Sequence, residues 1–231
     1  MKKLIKIIAG IFVVLAVLLV ALDFSLDGIV PKAFNAAAPG VLGVSAALDA
    51  ADISLVRGQA ALRGLHVGNP KGYKTAGLLD IGSISVKLDN STLLSDTILI
   101  KEIAIEGLVV TYEKGLLNSN LGALIESLAP PEEPGAQKPK DEKPGKKVII
   151  EKLVVAGSKM NFSVTGALGA AVPIPLPTIT LVGLGKEKDG VIWAEAVGNI
   201  LKAIAGAAGS ALAGAGNLLG DGVGAVGDGA W

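Results

Sequence analysis

A repeated strand-like segment is the feature that most constrains the fold of this chain. Residues 98–113 read ILIKEIAIEGLVVTYE and residues 148–163 read VIIEKLVVAGSKMNFS, an offset of 50 residues. The copies align their apolar positions, the glycines Gly107 and Gly157, and an aromatic residue five positions after each glycine. Alternation of apolar and polar residues is typical of a half-buried strand. Its repetition predicts an extended antiparallel sheet built by stacking similar units.

Six apolar positions in the two copies are the candidate ligand-facing positions. Alternation places Ile98 with Ile100 and Ile103 with Ile105, and a change of phase at Lys101-Glu102 separates these two pairs, while the charged residues form the solvent-facing side. We expect this side to contact either a bound partner or a C-terminal helix of the same chain, and alternation does not distinguish the two. The six positions are Ile98, Ile100, Ile103, Ile105, Ile150 and Val155.

Further strands are predicted by alternation and by turn residues. Residues 53–57 and 60–67 are expected to form a hairpin with its turn at Gly58-Gln59. Residues 81–88 alternate in the same way, whereas Gly107 is expected to interrupt the following strand. The prolines in VPIPLP predict an extended edge segment, because proline cannot donate to a sheet ladder, and 178–184 predict a regular strand after it.

Two segments have helical periodicity. NSNLGALIESL predicts a short helix that Asn118 or Ser119 caps. From about Trp193 to Leu219, apolar residues recur at spacings of three and four, which predicts a C-terminal helix rich in alanine and glycine. Its uncharged part leaves a second membrane span as an alternative. Trp193 is expected either to pack at the helix start or to act as an interfacial anchor, and Trp231 could also anchor at an interface.

Composition excludes most catalytic chemistry. The chain has no cysteine and one histidine, His66, so it lacks the residues for a thiolate nucleophile or a cysteine–histidine zinc cluster, and His66 would be the sole base for a Ser-His-Asp triad. GLGKEKDG lacks the Ser or Thr that follows the lysine of a phosphate-binding loop, so it is interpreted as a turn. A net charge of zero and 3% aromatic residues argue against nucleic acid as a partner. We therefore expect a protein that is not an enzyme and has no catalytic residue, metal or cofactor.

The N-terminal segment predicts a membrane anchor. Lys2, Lys3 and Lys6 precede an uncharged run from Ile7 to Leu22. Those residues make about 24 Å of helix, and snorkelling of Lys6 would lengthen the span towards the ~30 Å hydrocarbon core. A cleaved signal peptide is the alternative, but the run does not end in the small residues of a cleavage site. The lysines predict a cytoplasmic N-terminus and a body on the far side, the periplasm of a Gram-negative cell.

The predicted organisation has six parts. Residues 129–147 have the composition of a disordered linker, because proline, lysine and glutamate offer nothing to bury. The parts are the anchor (1–23), a first β region that begins with a short helix (24–128), the linker (129–147), a β continuation (148–192), the C-terminal helix (193–219) and a flexible tail (220–231).

The middle of the chain resembles the N-terminal region of AsmA-like envelope proteins. The matching pieces are ISLVRGQAALRGLHVGNPKGY, LLDIGSISVKLDNSTLLSDTILIKEIAIEGLVVTYE and SNLGALIESL, so the resemblance covers residues 1–128 together with the basic N-terminus and span. It implies a single-span inner-membrane protein whose periplasmic body is a curled antiparallel β-sheet, open as an apolar groove. Larger members are similar to bridge-like lipid transfer proteins, and the matching motifs include no catalytic residue.

Two functions are expected from these observations. The first is a non-enzymatic envelope protein that handles phospholipid or contributes to outer-membrane biogenesis through an apolar sheet groove. The second is a structural or assembly scaffold whose apolar face packs on its own C-terminal helix or on another envelope protein. The expected partners are the membrane, phospholipid or other envelope proteins.

Overall fold

The computed structural model describes residues 25–40, 42–115, 118–128, 146–164 and 172–227. The predicted anchor, residues 1–23, lies outside the described residues, as do positions 129–145 of the predicted linker. The chain is mainly β, as predicted, with three helices among the described residues.

One sheet contains the nine strands of the described residues. Its main order is β1-β2-β3-β4-β5-β8, with β6 beside β4, β7 beside β6, and β9 beside β5. The strands are β1 (Ala46–Ser54), β2 (Gln59–Val67), β3 (Leu79–Leu88), β4 (Thr97–Lys114), β5 (Lys147–Ala156), β6 (Lys159–Val164), β7 (Val172–Pro175), β8 (Ile179–Leu184) and β9 (Val191–Ile192). The helices are α1 (25–40), α2 (Asn120–Leu128) and α3 (Trp193–Gly227).

The repeat forms parallel pairs, so the prediction of a wholly antiparallel sheet is wrong at its centre. The first half of β4 runs parallel to β5 and its second half runs parallel to β6. Thr97 pairs with Lys147 and Val109 pairs with Lys159, so the offset of the repeat, 50 residues, is also the pairing register. The connection over 115–146 includes α2, and it is long enough for the crossover that parallel strands require. The other neighbouring pairs are antiparallel.

Glycine does not interrupt β4, which continues from Thr97 to Lys114. Gly107 is instead one of four glycines that lie opposite one another on consecutive strands. Three of them have positive φ, the left-handed region in which an L side chain is disfavoured. We call this row the glycine crease: Gly64 on β2, Gly82 on β3, Gly107 on β4, and Gly157 just after β5.

The glycine crease keeps one face of the sheet apolar along its whole length. Strict alternation after Ile105 would place Gly107 on the buried side, but the next buried residue is Leu108. β5 has the same slip, since Val155 and then Ser158 are buried. Such a shift of the pleat resembles a β-bulge, in which one extra residue re-aims the side chains that follow. Because neighbouring strands shift at the same line, their pairing register is unchanged across it.

The β1 edge is covered by α1. The Asn35 side-chain amide donates to the Leu48 carbonyl at 3.2 Å and accepts from the Leu48 amide at 2.7 Å. Asp27 accepts from the Ile53 amide at 2.7 Å. These side chains satisfy backbone groups that an edge strand otherwise leaves unpaired. At another edge β7 pairs only with β6 and contains Pro173 and Pro175, as the proline pattern predicts.

Most other local predictions are confirmed, and several boundaries are corrected. The β1–β2 hairpin is present, but residues 55–57 belong to its turn because β1 begins and ends earlier than predicted. Ser119 accepts from the Gly122 amide at 3.0 Å and so caps α2. The C-terminal helix continues to Gly227, beyond the predicted end at Leu219, because nothing in the glycine-rich tail forces a stop, as a proline would.

A candidate acyl-chain face on the sheet

Five of the six candidate apolar positions are buried, and Ile98 is partly buried against them. They share one hydrophobic core with Leu121 and Leu124 of α2 and with Leu201 and Ile204 of α3. The structure therefore brings these positions together on one face, and the two helices cover that face at β4 and β5. The buried five are Ile100, Ile103, Ile105, Ile150 and Val155.

The same face continues across neighbouring strands as rows of apolar residues. Cross-strand neighbours on one face are the contacts through which side chains stabilise a sheet. One row contains Ala60, Val86, Ile103, Leu153 and Leu181, and the next contains Leu62, Ile84, Ile105, Val155 and Ile179. The candidate positions are thus the centre of a wider apolar face.

Burial decreases along these rows towards β2 and β3. Ile105 and Val155 are buried, whereas Leu62 and Ile84 in the same row are only half-buried. Helices α2 and α3 contact β4, β5, β7, β8 and β9. We call the half-buried part of these rows on β2 and β3 the open strip; it consists of Ala60, Leu62, Ile84 and Val86.

Sequence reasoning found the alternation in β3 but did not select Ile84 or Val86 as candidate positions. The selection followed the strand repeat, and β3 is not a copy of the repeated unit. Apolar alternation over 81–88 was the signal that pointed to these residues. Ile84 and Val86 are half-buried because α2 and α3 cover other strands, and alternation in the sequence does not predict which strands the helices cover.

A polar network at the end of the sheet that carries the 68–78 loop has a structural role. Buried Glu113 accepts from the Lys74 amide at 2.9 Å, and from the amide and hydroxyl of Thr75 at 2.8 and 2.9 Å. Buried Asn120 donates to Asn69 at 2.8 Å and accepts from the Glu113 amide at 2.9 Å. The network joins the 68–78 loop, β4 and α2. Its polar atoms hold backbone in place, as buried polar groups require.

His66 is a surface histidine, as expected. Its Nδ1 lies 2.6 Å from Asp80 and its Nε2 lies 3.5 Å from Asp49. The hydrogen bond to Asp80 raises the pKa of His66 above its ordinary value. Both ring nitrogens therefore face carboxylates. Within the described ranges, no group of three or more His, Cys, Asp or Glu residues is placed to hold a metal ion.

Helix α3 is one-sided. Ala196, Leu201, Ile204 and Ala208 pack into the core, while Trp193 is exposed rather than packed. In the part of the chain that the structure describes, Trp193–Gly214 is the one helical stretch long and apolar enough to cross a membrane. Crossing would remove this helix from the sheet and uncover the core residues of β5, so its contacts favour a covering helix.

The described part of the apolar face is lined mainly by aliphatic side chains, which offer a packing surface. Charged groups near it form surface ion pairs, such as Lys87 with Glu102 at 2.6 Å. The pKa of Glu102 is lowered by the hydrogen bond from Lys87, which is the ordinary effect of a basic neighbour on an exposed carboxylate.

Comparisons with protein-family models, with curated proteins and with solved structures give no match to this chain.

Proposed function

We propose that this chain is a non-enzymatic, AsmA-like envelope protein, anchored in the inner membrane by residues 1–23 with its body in the periplasm. In this proposal it contributes to lipid handling or outer-membrane biogenesis by holding an acyl chain against the apolar sheet face. The ligand class is phospholipid, because an acyl chain needs a long apolar surface and little specific polar chemistry. Each buried CH₂ would contribute about 0.8 kcal/mol.

The observation that carries the proposal is the gradient of burial along the apolar rows. The same face is closed at Ile105 and Val155 and half-open at Leu62 and Ile84. An acyl chain lying on the open strip would extend the apolar core sideways and leave α2 and α3 in place. We place ligand contact at the open strip, and we assign Ile100, Ile103 and the other buried candidate positions to the core.

A scaffold is the second candidate, and the burial of the candidate positions favours it. Ile150 and Val155 pack with Ile204 of α3 in one core, as an ordinary folded domain would have them. In that case the open strip is only the partly exposed edge of a closed core and binds no ligand. The protein then acts by binding other envelope proteins through its surface.

Lipid analysis of the full chain distinguishes these functions. The protein is purified in mild detergent and its bound lipids are extracted and measured by mass spectrometry. We expect phospholipid with the wild-type chain and a loss of it with Ile84→Asp, whose thermal unfolding should remain cooperative because the site is half-buried. Ile105→Asp should instead unfold the domain, since it would bury an unpaired carboxylate.

Ser85→Asp is the matched control. Ser85 is exposed on the other face of β3, beside Ile84. It places the same charge on the same strand, so it should retain bound phospholipid. A wild-type chain that carries no phospholipid, or an Ile84→Asp variant that carries as much as Ser85→Asp, would favour the scaffold.

A further inference from the structure

We propose that one end of the sheet is a bilayer-contacting rim, which inserts apolar side chains into the headgroup region of the membrane that holds the anchor. The proposed occupant is the lipid bilayer surface itself. This inference rests on the anchor of the proposed function, and it is independent of whether the open strip holds a ligand.

Hydrogen bonds bring three separate segments together at this end. Asn90 donates to the Leu55 and Val56 carbonyls at 2.9 and 2.8 Å, which joins the β3–β4 segment to the β1–β2 turn. The Lys147 amide donates to the Asp96 carbonyl at 2.9 Å, which adds the start of β5. Lys147 also pairs with Ile192 of β9, immediately before α3. We define the rim as residues 55–58, 89–96, 146–147 and 185–193.

Exposed large apolar side chains concentrate at the rim. Leu94 is 97% exposed, Val56 63% and Trp193 49%, and Ile192 beside Trp193 is also exposed. Ile29 is exposed near the start of the described part of α1, two residues from Asp27, which bonds β1 next to the 55–58 turn. Among the described residues the remaining exposed large apolar side chain is Val182, on β8. The loop at the opposite end, 68–78, has none of this set.

Chain length places the predicted anchor next to the rim. The apolar run ends at Leu22, and Asp27 contacts Ile53 at the end of β1. Five residues span at most about 18 Å when fully extended. The rim therefore lies close to the point where the anchor would leave the bilayer, whatever conformation residues 23 and 24 adopt.

The charges of the rim indicate how it would bind. Basic and acidic side chains are nearly balanced, so attraction to anionic headgroups is weak and apolar insertion has to provide the affinity. A tryptophan at the rim suits the interfacial region, where an amphipathic ring lies at headgroup depth. The basic residues are Arg57, Lys146, Lys147, Lys186 and Lys188, and the acidic ones are Asp89, Asp96, Glu187 and Asp189.

The experiment measures the depth of single labels in the full chain. Because the chain has no cysteine, Leu94→Cys can be labelled with the environment-sensitive fluorophore NBD without background. The protein is reconstituted in phosphatidylcholine vesicles, and quenching by lipids with shallow doxyl groups is compared with labels at Val182→Cys and Lys71→Cys. Val182 is also apolar and is 77% exposed but lies off the rim, and exposed Lys71 belongs to the opposite loop.

We expect a blue-shifted emission and lipid quenching at position 94, little change with salt, and neither effect at 182 or 71. Val56→Asp/Leu94→Asp should remove the blue shift of a label at Ile192→Cys, whereas Val182→Asp should leave it. Vesicle flotation tests the anchor separately: a chain that does not float contradicts the anchor, and with it the rim. A chain that floats with position 94 as solvent-exposed as position 71 overturns the rim alone. A label at 94 that is protected in cell membranes but exposed in pure lipid vesicles also overturns it, because a protein then covers this end.

Discussion

The positive φ of the glycine crease predicts that replacing glycine by alanine destabilises the chain at Gly107, whereas the same replacement in helix α3 stabilises it. Gly107 has φ +67°, and a Cβ there would meet nothing closer than Gly82 backbone at 3.8 Å. Gly107→Ala therefore adds backbone strain without a steric clash. The left-handed conformation costs an L residue about 1–2 kcal/mol. The reduced entropy of the unfolded chain offsets about 0.4–1 kcal/mol of this. The net expectation is a loss of roughly 0.5–1.5 kcal/mol in the free energy of unfolding.

Gly206→Ala is the matched control, because it makes the same chemical change in helix α3. Gly206 is exposed, and a Cβ at this position has nothing within 4 Å. Alanine is about 1 kcal/mol more favourable than glycine inside a helix, so this variant should be more stable than the wild type. The two alanine variants should therefore differ by about 1.5–2.5 kcal/mol and lie on opposite sides of the wild type.

The assay is urea unfolding of the full chain in mild detergent, followed by far-ultraviolet circular dichroism. Gly107→Asn should be less destabilised than Gly107→Ala, since asparagine tolerates the left-handed region better than other side chains. Adding Gly157→Ala to Gly107→Ala should roughly double the loss, because a Cβ at Gly157 comes only within 3.9 Å of the Gly107 backbone. A Gly107→Ala variant at least as stable as the wild type would refute the assigned role of positive φ in the crease.

Three further predictions concern contacts outside the crease. Asn35→Ala should speed hydrogen exchange of the Leu48 amide and cost about 0.5–1.5 kcal/mol, because both bonds to β1 are lost; exchange unchanged from a Lys32→Ala control would contradict the edge role of α1. Glu113→Ala should destabilise the chain by about 1–3 kcal/mol and hasten proteolysis of the 68–78 loop, since part-buried donors lose their acceptor, whereas exposed Glu106→Ala should do neither. The raised pKa of His66 means that its ion pairs stabilise the fold below its ordinary pKa of about 6.5 and lose this effect as the pH rises through the raised value. The stability difference between wild type and His66→Gln should therefore be larger at pH 5.5 than at pH 8.5, and equal differences at both would contradict the pairing.

The repeat illustrates how far the sequence alone could predict the sheet. The offset between the copies identified residues that the structure pairs, including Tyr112 and Phe162, whose rings stack with centroids 6.0 Å apart. It did not contain the direction of pairing, because alternation is the same in parallel and antiparallel strands. The long connection over 115–146 permitted a crossover but did not require one. Direction therefore had to come from the folded arrangement.

The candidate face shows a similar division. Alternation and phase changes selected Ile100, Ile103 and Ile105 as members of one face, and they share one core. What covers that face depends on α3, whose alanine- and glycine-rich pattern predicts a helix that packing holds in place and leaves a membrane span as the alternative. Trp193 differs from these residues because it is exposed. A tryptophan at the start of an apolar helix predicts packing, but Trp193 lies at the end of the sheet, where little of the core is left to cover it.

The coincidence of repeat offset and pairing register has a consequence for how this chain can vary in length. Position n of β4 meets position n + 50 because side chains and glycines on the two copies match, and the connecting segment only returns the chain to the starting end. Residues inserted between α2 and β5 would increase the separation of the two copies beyond 50 residues, but the same side chains would remain in contact. Closing a longer flexible loop costs only about 0.6 kcal/mol for each doubling of its length. The proline- and lysine-rich stretch is thus a place where insertions and deletions are tolerated, while a single-residue deletion inside either copy would shift one half of the sheet against the other.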